Sequence, residues 1–194
     1  MRHRLTGTMT EALTKRLASV RLFVTDVDGV LTDGSLWMGA ETEIKRFSVR
    51  DGLGLQLLML AGIRVAWITA RTSDAVAIRA RELGPIWLQC GVQDKAEALR
   101  SVAARAGASL EAVAYMGDDL NDLPAMNICG CSLCPQDAAS LVSQNAHCVC
   151  VHAGGQGAVR EACEMILDAT GRLDDAVESY LAHMPFPPSA SFSE

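Results

Sequence analysis

Short apolar runs alternate with longer segments of helical periodicity along most of the 194-residue chain, and this alternation is the strongest constraint on its fold. It is typical of β-α units that build one parallel sheet covered by helices. At this length a single domain with one full core is expected. The predicted fold is therefore α/β, a Rossmann-like parallel sheet flanked by helices. The predicted strands are 20–25, 64–69, 86–88, 113–116, 129–133 and 148–151, and the predicted helices are 53–61, 74–83, 95–106, 123–127, 138–143 and 158–170.

One segment interrupts the alternation. Residues 34–49, GSLWMGAETEIKRFSV, have β-rich halves around GAET and predict a hairpin flap inserted after the first strand. The flap is too small to be a cap domain. Residues 1–19 are interpreted as an N-terminal helical extension and residues 20–183 as the main domain. Residues 184–194 are rich in Pro and Ser and predict a disordered tail.

Charge and composition exclude several classes of partner. The chain has 17 Lys+Arg against 23 Asp+Glu and no basic block, which argues against nucleic-acid binding. Gln56 and Arg64 interrupt the longest apolar stretch, so no membrane span is predicted. The N-terminal residues lack the apolar core of an export signal, so we predict a cytoplasmic location, in which the seven cysteines stay thiols. Paired CxxC spacing is missing, which favours small core residues over a zinc site.

Polar residues collect where the predicted strands end, which is where open parallel sheets bind ligands. Asp26 and Asp28 follow the first strand, Thr69 lies at the end of the second, Lys95 comes after the third and Asp118 follows the fourth. Carboxylates that converge at one edge repel each other, and a divalent cation compensates for this repulsion. Ligands that are all oxygens favour magnesium over zinc.

The same residues suggest phosphoryl transfer. Asp26 and Asp28 point to one side of an extended segment, so one carboxylate can attack phosphorus while the other handles protons. Lys95 stands at a predicted helix start, where the helix dipole disfavours a cation, and with Thr69 it could bind phosphate. Receiver domains of response regulators have a similar inventory, but their lysine comes last, whereas Lys95 precedes Asp118. The order favours an enzyme over a receiver.

Four segments together resemble the motifs of the haloacid dehalogenase superfamily of phosphohydrolases, namely DVDG, ITAR, the Lys95 segment and GDDLND. DVDGVLTDG with the hairpin, SVRDGLGL and AGGQGAVREACEMIL narrow the resemblance to capless sugar-acid phosphatases, over roughly residues 15–180. The resemblance implies a magnesium-dependent phosphatase that acts on 3-deoxy-D-manno-octulosonate 8-phosphate through an aspartyl-phosphate.

The resemblance also implies a role for individual residues. Asp26 is the nucleophile, and Asp28 is the general acid and base whose backbone carbonyl also binds the metal. Asp118 is a further metal ligand, while Asp119 and Asp122 support these ligands. Thr69 and Lys95 bind phosphate. The substrate-binding residues implied in this way are Ser48, Val49, Arg50, Asp51, Gly52, Arg71, Arg79 and Gln156.

Relatives of this kind form homotetramers in which the hairpins pack together and the GGxG segment of one subunit completes a neighbour's site, so the same is expected here. Gln56 and Gln156 stand where the octulosonate enzymes usually carry arginine. A nine-carbon keto-sugar-acid 9-phosphate is therefore an alternative substrate. A non-catalytic oligomerisation module is the other alternative, and the presence of all four motif residues favours catalysis over it.

Overall fold

Six parallel strands form the central sheet of the computed structural model, which describes residues 9–39 and 43–182. The strands are β1 (Leu22–Thr25), β2 (Trp37–Met38), β3 (Glu43–Ile44), β4 (Arg64–Ile68), β5 (Trp87–Gln89), β6 (Val113–Met116), β7 (Cys131–Cys134) and β8 (Cys148–Val149). The sheet order is β5-β4-β1-β6-β7-β8, and every neighbouring pair is parallel. The predicted α/β fold is thus confirmed.

Helices cover both faces of this sheet. They are α1 (Glu11–Ala18), α2 (Val49–Leu60), α3 (Asp74–Leu83), α4 (Lys95–Ala106), α5 (Leu123–Met126), α6 (Ser140–Asn145), α7 (Ala158–Ala169) and α8 (Leu173–Ala182). Successive residues of β1 enter opposite cores: Phe23 packs with residues of α1, α2 and α7, while Leu22 and Val24 pack with residues of α4 and α5. The centre of the sheet is therefore largely apolar on both sides, and most of its polar residues lie at the strand ends.

The insertion after β1 is a hairpin. β2 and β3 pair antiparallel, with Trp37 opposite Ile44 and Met38 opposite Glu43. This pair is the hairpin predicted within residues 34–49, and Val49 already belongs to α2. Ser48 caps that helix, since its side chain accepts a hydrogen bond from the backbone N–H of Asp51 at 3.3 Å.

Several predicted boundaries were confirmed and others were wrong. The predictions for α3, α4 and β6 match the structure residue for residue. Helix α2 begins four residues before the predicted start because its glycines, which weaken an isolated helix, allow close packing here. A Cβ on Gly54 would lie 3.1 Å from Arg160 Cα of α7. Helix α8 was not predicted; Ala176 is its one buried residue among those that the structure describes.

The terminal predictions are only partly within the described residues. The predicted N-terminal helix is present as α1, with Leu17 buried. Residues 1–8 and the predicted tail 184–194 lie outside the described residues. In the two ranges that the structure describes, no helix is both long enough and apolar enough to cross a bilayer.

Candidate active site

A cavity opens at the carboxyl edge of the sheet, between the loops that follow β1, β4 and β6. Of the residues predicted at the strand ends, Asp26, Asp28, Thr69 and Asp118 line this cavity, and Lys95 contacts Asp26. The cavity is lined by Asp26, Asp28, Gly34, Thr69, Ala70, Arg71, Asp118, Asp119 and Asn121. Gly34, Ala70 and Asn121 were not predicted as site residues, although they belong to the DVDGVLTDG, ITAR and GDDLND segments.

Lys95 connects two carboxylates beneath this cavity. Its Nζ lies 3.0 Å from Asp26 Oδ2 and donates a hydrogen bond to Asp122 Oδ1 at 2.7 Å. Burial by itself lowers the pKa of a lysine, but the two carboxylates outweigh it and raise the pKa of Lys95. Only 2% of Lys95 is exposed. It is therefore a buried, charged partner of Asp26, as its unfavourable place at a helix start suggested.

Asp122 fixes the loop after β6. Its Oδ1 also accepts a hydrogen bond from the Tyr115 hydroxyl at 2.7 Å. Its Oδ2 accepts the backbone N–H groups of Asp118 at 3.0 Å and Asp119 at 3.3 Å. Asp119 in turn caps the turn Leu120–Asp122 by accepting the backbone N–H of Leu120. These bonds explain why the GDDLND segment turns tightly and holds Asp118 toward Asp26.

Asp26, Asp118 and Asp122 form an acidic cluster, in which one oxygen from each lies within 4.8 Å of the others. Burial and the neighbouring Asp122 raise the pKa of Asp26 to about 7, although Lys95 opposes this effect. Burial and the charge of Asp26 raise the pKa of Asp118 to about 8. Both shifts disfavour the ionised carboxylates, so Lys95 by itself does not compensate the charge of these two groups when they are ionised.

A divalent cation fits this cluster. Asp118 Oδ1 is buried and has no hydrogen-bond partner among the described residues, which is costly unless another group binds it. Both oxygens of Asp122 are already engaged, so Asp26 and Asp118 are the side chains with oxygen atoms to offer. Carboxylate oxygens are the donors that magnesium prefers.

Gly29 is required for this approach of the two loops. Its φ is +89°, a conformation that residues with a side chain rarely adopt, and a Cβ at this position would lie 2.0 Å from Asp118 Oδ2. The glycine of the DVDG motif therefore does more than permit a turn. It leaves the space that the Asp118 carboxylate occupies.

Lys45 was missed by the sequence analysis as a site residue. It follows β3, and its Nζ donates a hydrogen bond to Asp28 Oδ1 and lies 3.3 Å from Glu43 Oε1. Lys95 drew attention because it stands at a predicted helix start, and Lys45, although it is one of only three lysines in the chain, has no such position. The pairing with Asp28 depends on how the hairpin folds back, which the sequence does not show.

The predicted substrate-binding residues divide into two groups. Arg71 lines the cavity, and its Nη2 donates a hydrogen bond to Glu43 Oε2 at 2.8 Å. The other group does not line this cavity. Its members are Ser48, Val49, Arg50, Asp51, Gly52, Arg79 and Gln156.

Asp51 has structural partners that account for its burial. Its Oδ1 accepts the backbone N–H of Arg160 at 2.7 Å, and its Oδ2 accepts that of Gly157 at 3.3 Å. Asp51 thus caps α7 from the first turn of α2. Burial raises its pKa, although these bonds act in the opposite direction.

Gln56 and Gln156, which stand where the octulosonate enzymes usually carry arginine, also lie outside the cavity. Gln56 Nε2 donates a hydrogen bond to the carbonyl of Leu83 at 3.4 Å, at the end of α3, and Gln156 is exposed to solvent. The glycines beside Gln156 pack on the loop after β1 of their own chain, where Gly155 donates its N–H to the carbonyl of Val30 at 2.9 Å.

All seven cysteines are free thiols in the structure. Burial raises the pKa of Cys129 to about 11 and that of Cys131 to about 12, so these thiols stay protonated at neutral pH. Cys90 differs from the expected core residue, because it is exposed after the edge strand β5.

The sheet order, the acidic cluster and the buried Lys95 define a phosphohydrolase of the haloacid dehalogenase type, and a family model for haloacid dehalogenase-like hydrolases matches residues 91–161. A 3-deoxy-D-manno-octulosonate 8-phosphate phosphatase from Yersinia pestis is 42% identical over 171 residues, which cover 88% of this chain and 91% of that protein. The chain belongs to the family of these octulosonate phosphatases.

Solved structures agree with this assignment. A crystal structure of the 3-deoxy-D-manno-octulosonate 8-phosphate phosphatase from Moraxella catarrhalis, in complex with a magnesium ion, a phosphate ion and a KDO molecule, superposes with a TM-score of 0.85 at 38% identity, covering 89% of this chain and 99% of that one. A hypothetical protein from Xanthomonas campestris gives a TM-score of 0.88 at 39% identity, covering 93% and 99% of the two chains.

Proposed function

We propose that this chain is a magnesium-dependent phosphatase that hydrolyses 3-deoxy-D-manno-octulosonate 8-phosphate through an aspartyl-phosphate on Asp26. The observation that carries the proposal is the position of Asp26, which is paired with the buried Lys95 and shares an acidic cluster with Asp118. Relatives at about 40% identity that are named for this activity support the choice of substrate.

The side chains divide the chemistry between them. A carboxylate oxygen of Asp26 attacks phosphorus, the bond from phosphorus to the sugar oxygen breaks, and Asp28 gives its proton to that oxygen. Asp28 then removes a proton from water, which attacks phosphorus and releases Asp26. Thr69 accepts the backbone N–H of Arg71 at 3.2 Å, which leaves its hydroxyl hydrogen for a phosphate oxygen.

Asp26, Asp118 and the backbone carbonyl of Asp28 are the proposed magnesium ligands, and Asp119 and Asp122 hold them in place. When bound, the ion would neutralise charge on the phosphate and on the carboxylates. Lys95 supplies a fixed positive charge from beneath the same phosphate. Arg71 remains the proposed contact for the substrate acid, because it lines the cavity.

Phosphate release from the 8-phosphate in the presence of magnesium tests the proposal. We expect turnover with magnesium, loss of turnover in excess chelator and recovery when magnesium is restored, because the buried carboxylates repel a phosphate dianion without a cation. A nine-carbon keto-sugar-acid 9-phosphate, assayed in parallel, decides between the two substrates. Full activity in excess chelator, or no release from either substrate, would contradict the proposed site.

The proposed assembly is a homotetramer in which a neighbouring subunit completes the site. Its support is the apolar surface of the hairpin strands β2 and β3, where Trp37, Met38 and Ile44 are each more than 60% exposed. The free thiols favour the cytoplasm as the compartment.

We expect Trp37→Ser with Met38→Ser to shift the protein to smaller species in light scattering and to lower activity, because these side chains would lose a buried contact. Leu141→Ser is the control, since Leu141 is an exposed apolar residue of α6, outside the hairpin. A wild-type monomer with full activity would disprove the assembly.

A further inference from the structure

Four charged side chains form a ring between the hairpin and the cavity. Lys45 bonds to Asp28 Oδ1 and lies 3.3 Å from Glu43 Oε1. Arg71 Nη2 lies 2.8 Å from Glu43 Oε2, and Arg71 Nε lies 4.0 Å from Asp28 Oδ2. Positive and negative side chains alternate around the ring. The ring joins the loop after β1, strand β3 and the loop after β4.

The ring holds Lys45 in one place. The side chain of Lys45 has no exposed surface, and a buried ammonium is costly unless it is paired. The hydrogen bond from Arg71, helped by the charge of Lys45, lowers the pKa of Glu43 to about 2, so Glu43 stays charged as a partner of Lys45. Two residues after Lys45, Phe47 stacks on the buried Trp67 of β4, with ring centroids 6.3 Å apart. The end of the hairpin is thereby anchored to the core.

Lys45 is not placed to bind substrate. It does not line the cavity, whereas Asp28 and Arg71 do. Its hydrogen bond occupies Asp28 Oδ1, and Arg71 Nε, at 4.0 Å, is too far from Oδ2 for a hydrogen bond. Oδ2 is therefore the Asp28 oxygen with freedom to exchange a proton.

We propose that Lys45 is a positioning residue for proton transfer, which fixes Asp28 through Oδ1 so that Oδ2 faces the leaving oxygen of the substrate. The inference rests on the proposed phosphatase function. It gives the hairpin a part in the chemistry of its own subunit, separate from any contact between subunits.

The more basic the leaving group is, the more strongly the rate of bond breaking depends on a proton from the general acid. In the first half-reaction the electrons of the breaking phosphorus–oxygen bond go to the leaving oxygen, and the proton comes from Asp28. The primary alcohol of a sugar 8-phosphate is a poor leaving group and needs that proton, whereas 4-nitrophenolate leaves without it. Because kcat/KM reports steps up to release of the alcohol, the ratio between the two substrates isolates this proton transfer.

The experiment compares Lys45→Met with wild type on 3-deoxy-D-manno-octulosonate 8-phosphate and on 4-nitrophenyl phosphate, both with magnesium. We expect kcat/KM to fall about 30-fold for the sugar phosphate, which is less than the roughly 100-fold or more that general acid catalysis contributes, because Asp28 itself is still present. For the aryl phosphate the fall should be less than about threefold. Lys45→Arg, which keeps a donor cation, should recover the sugar phosphate activity to within about threefold of wild type.

Arg46→Met is the matched control, because Arg46 is the next residue on the hairpin, is largely exposed and pairs with Asp33 at 2.8 Å. It should leave both substrates unchanged. If thermal unfolding shows that Lys45→Met is poorly folded, Lys45→Gln is compared with wild type instead, by the same ratio of kcat/KM values for the two substrates. An equal fall for both substrates would show that Lys45 only holds the hairpin and would overturn the inference, as would no fall for either. Wild-type protein inactive on both substrates would instead remove the proposed function itself.

Discussion

Asp26→Asn should lose turnover by about 10³-fold or more, because an amide cannot form the acyl phosphate on which the two-step reaction depends. The shape of the side chain is nearly unchanged, so the fold should survive. Phosphate release measures the first effect and circular dichroism the second. Acid quenching of wild-type turnover, followed by mass spectrometry, should locate the phosphoryl group on Asp26.

The same variant should unfold less easily than wild type when metal is chelated. Asp26 has its pKa raised from 3.8 to about 7 by burial and by Asp122, which corresponds to a cost on the order of 4 kcal/mol for keeping it ionised. A carboxyl group whose pKa is raised by folding contributes stability at pH values below the pKa that it has in the unfolded chain. This contribution is lost as the pH rises to 7. The stability gained by Asp26→Asn relative to wild type should therefore grow between about pH 4 and pH 7 and then level off.

Urea unfolding in chelator at pH 5 and pH 8 measures that gain in stability. Asp33→Asn is a suitable control, since Asp33 is at the rim of the site and lies outside the acidic cluster. Activity of Asp26→Asn within a few-fold of wild type would rule out Asp26 as the nucleophile. Phosphate trapped on Asp28 would reverse the two assignments.

Residues at the ends of the strands were accessible to sequence reasoning because the topology of a parallel sheet fixes where they meet. Asp26, Thr69 and Asp118 each follow a buried strand, and the three strands are neighbours in the sheet. Lys95 was found because a cation at a helix start contradicts the helix dipole. Each of these inferences needed only local sequence and one rule of architecture.

Contacts between distant segments were not accessible in this way. The hydrogen bonds of Asp51 join it to residues more than 100 positions later, and nothing local distinguishes a carboxylate that caps a remote helix from one that binds a ligand. The ion pair of Lys45 with Asp28 depends on how far the hairpin folds over the loop after β1. Gly52 lies just before the predicted start of α2 and has a low helix propensity, but it belongs to the helix, where it packs closely against Arg79 and Leu83 of α3.

Lys95→Met should lower both stability and activity. Lys95 is the ammonium between the buried carboxylates of Asp26 and Asp122. Breaking a buried pair by removing one partner typically costs about 3–5 kcal/mol, because the remaining charge is uncompensated. The phosphate would also lose its fixed cation, so turnover should fall by about 100-fold or more. Urea unfolding and phosphate release measure the two effects. Lys15→Met is the control, since Lys15 is exposed and its pair with Glu11 should contribute less than about 1 kcal/mol.

A second substitution separates the two effects of Lys95→Met. When Asp122→Asn is added to Lys95→Met, it removes the carboxylate charge that the loss of Lys95 leaves uncompensated. Its amide oxygen can still accept the backbone N–H groups of Asp118 and Asp119, and its amide nitrogen can donate to the Tyr115 hydroxyl. The double variant should therefore recover much of the lost stability while turnover stays low, because the cation beneath the phosphate is still missing. If the double variant is no more stable than Lys95→Met, the charge of Asp122 is not what Lys95 compensates. If it regains turnover, Lys95 acts only through the fold and does not bind phosphate.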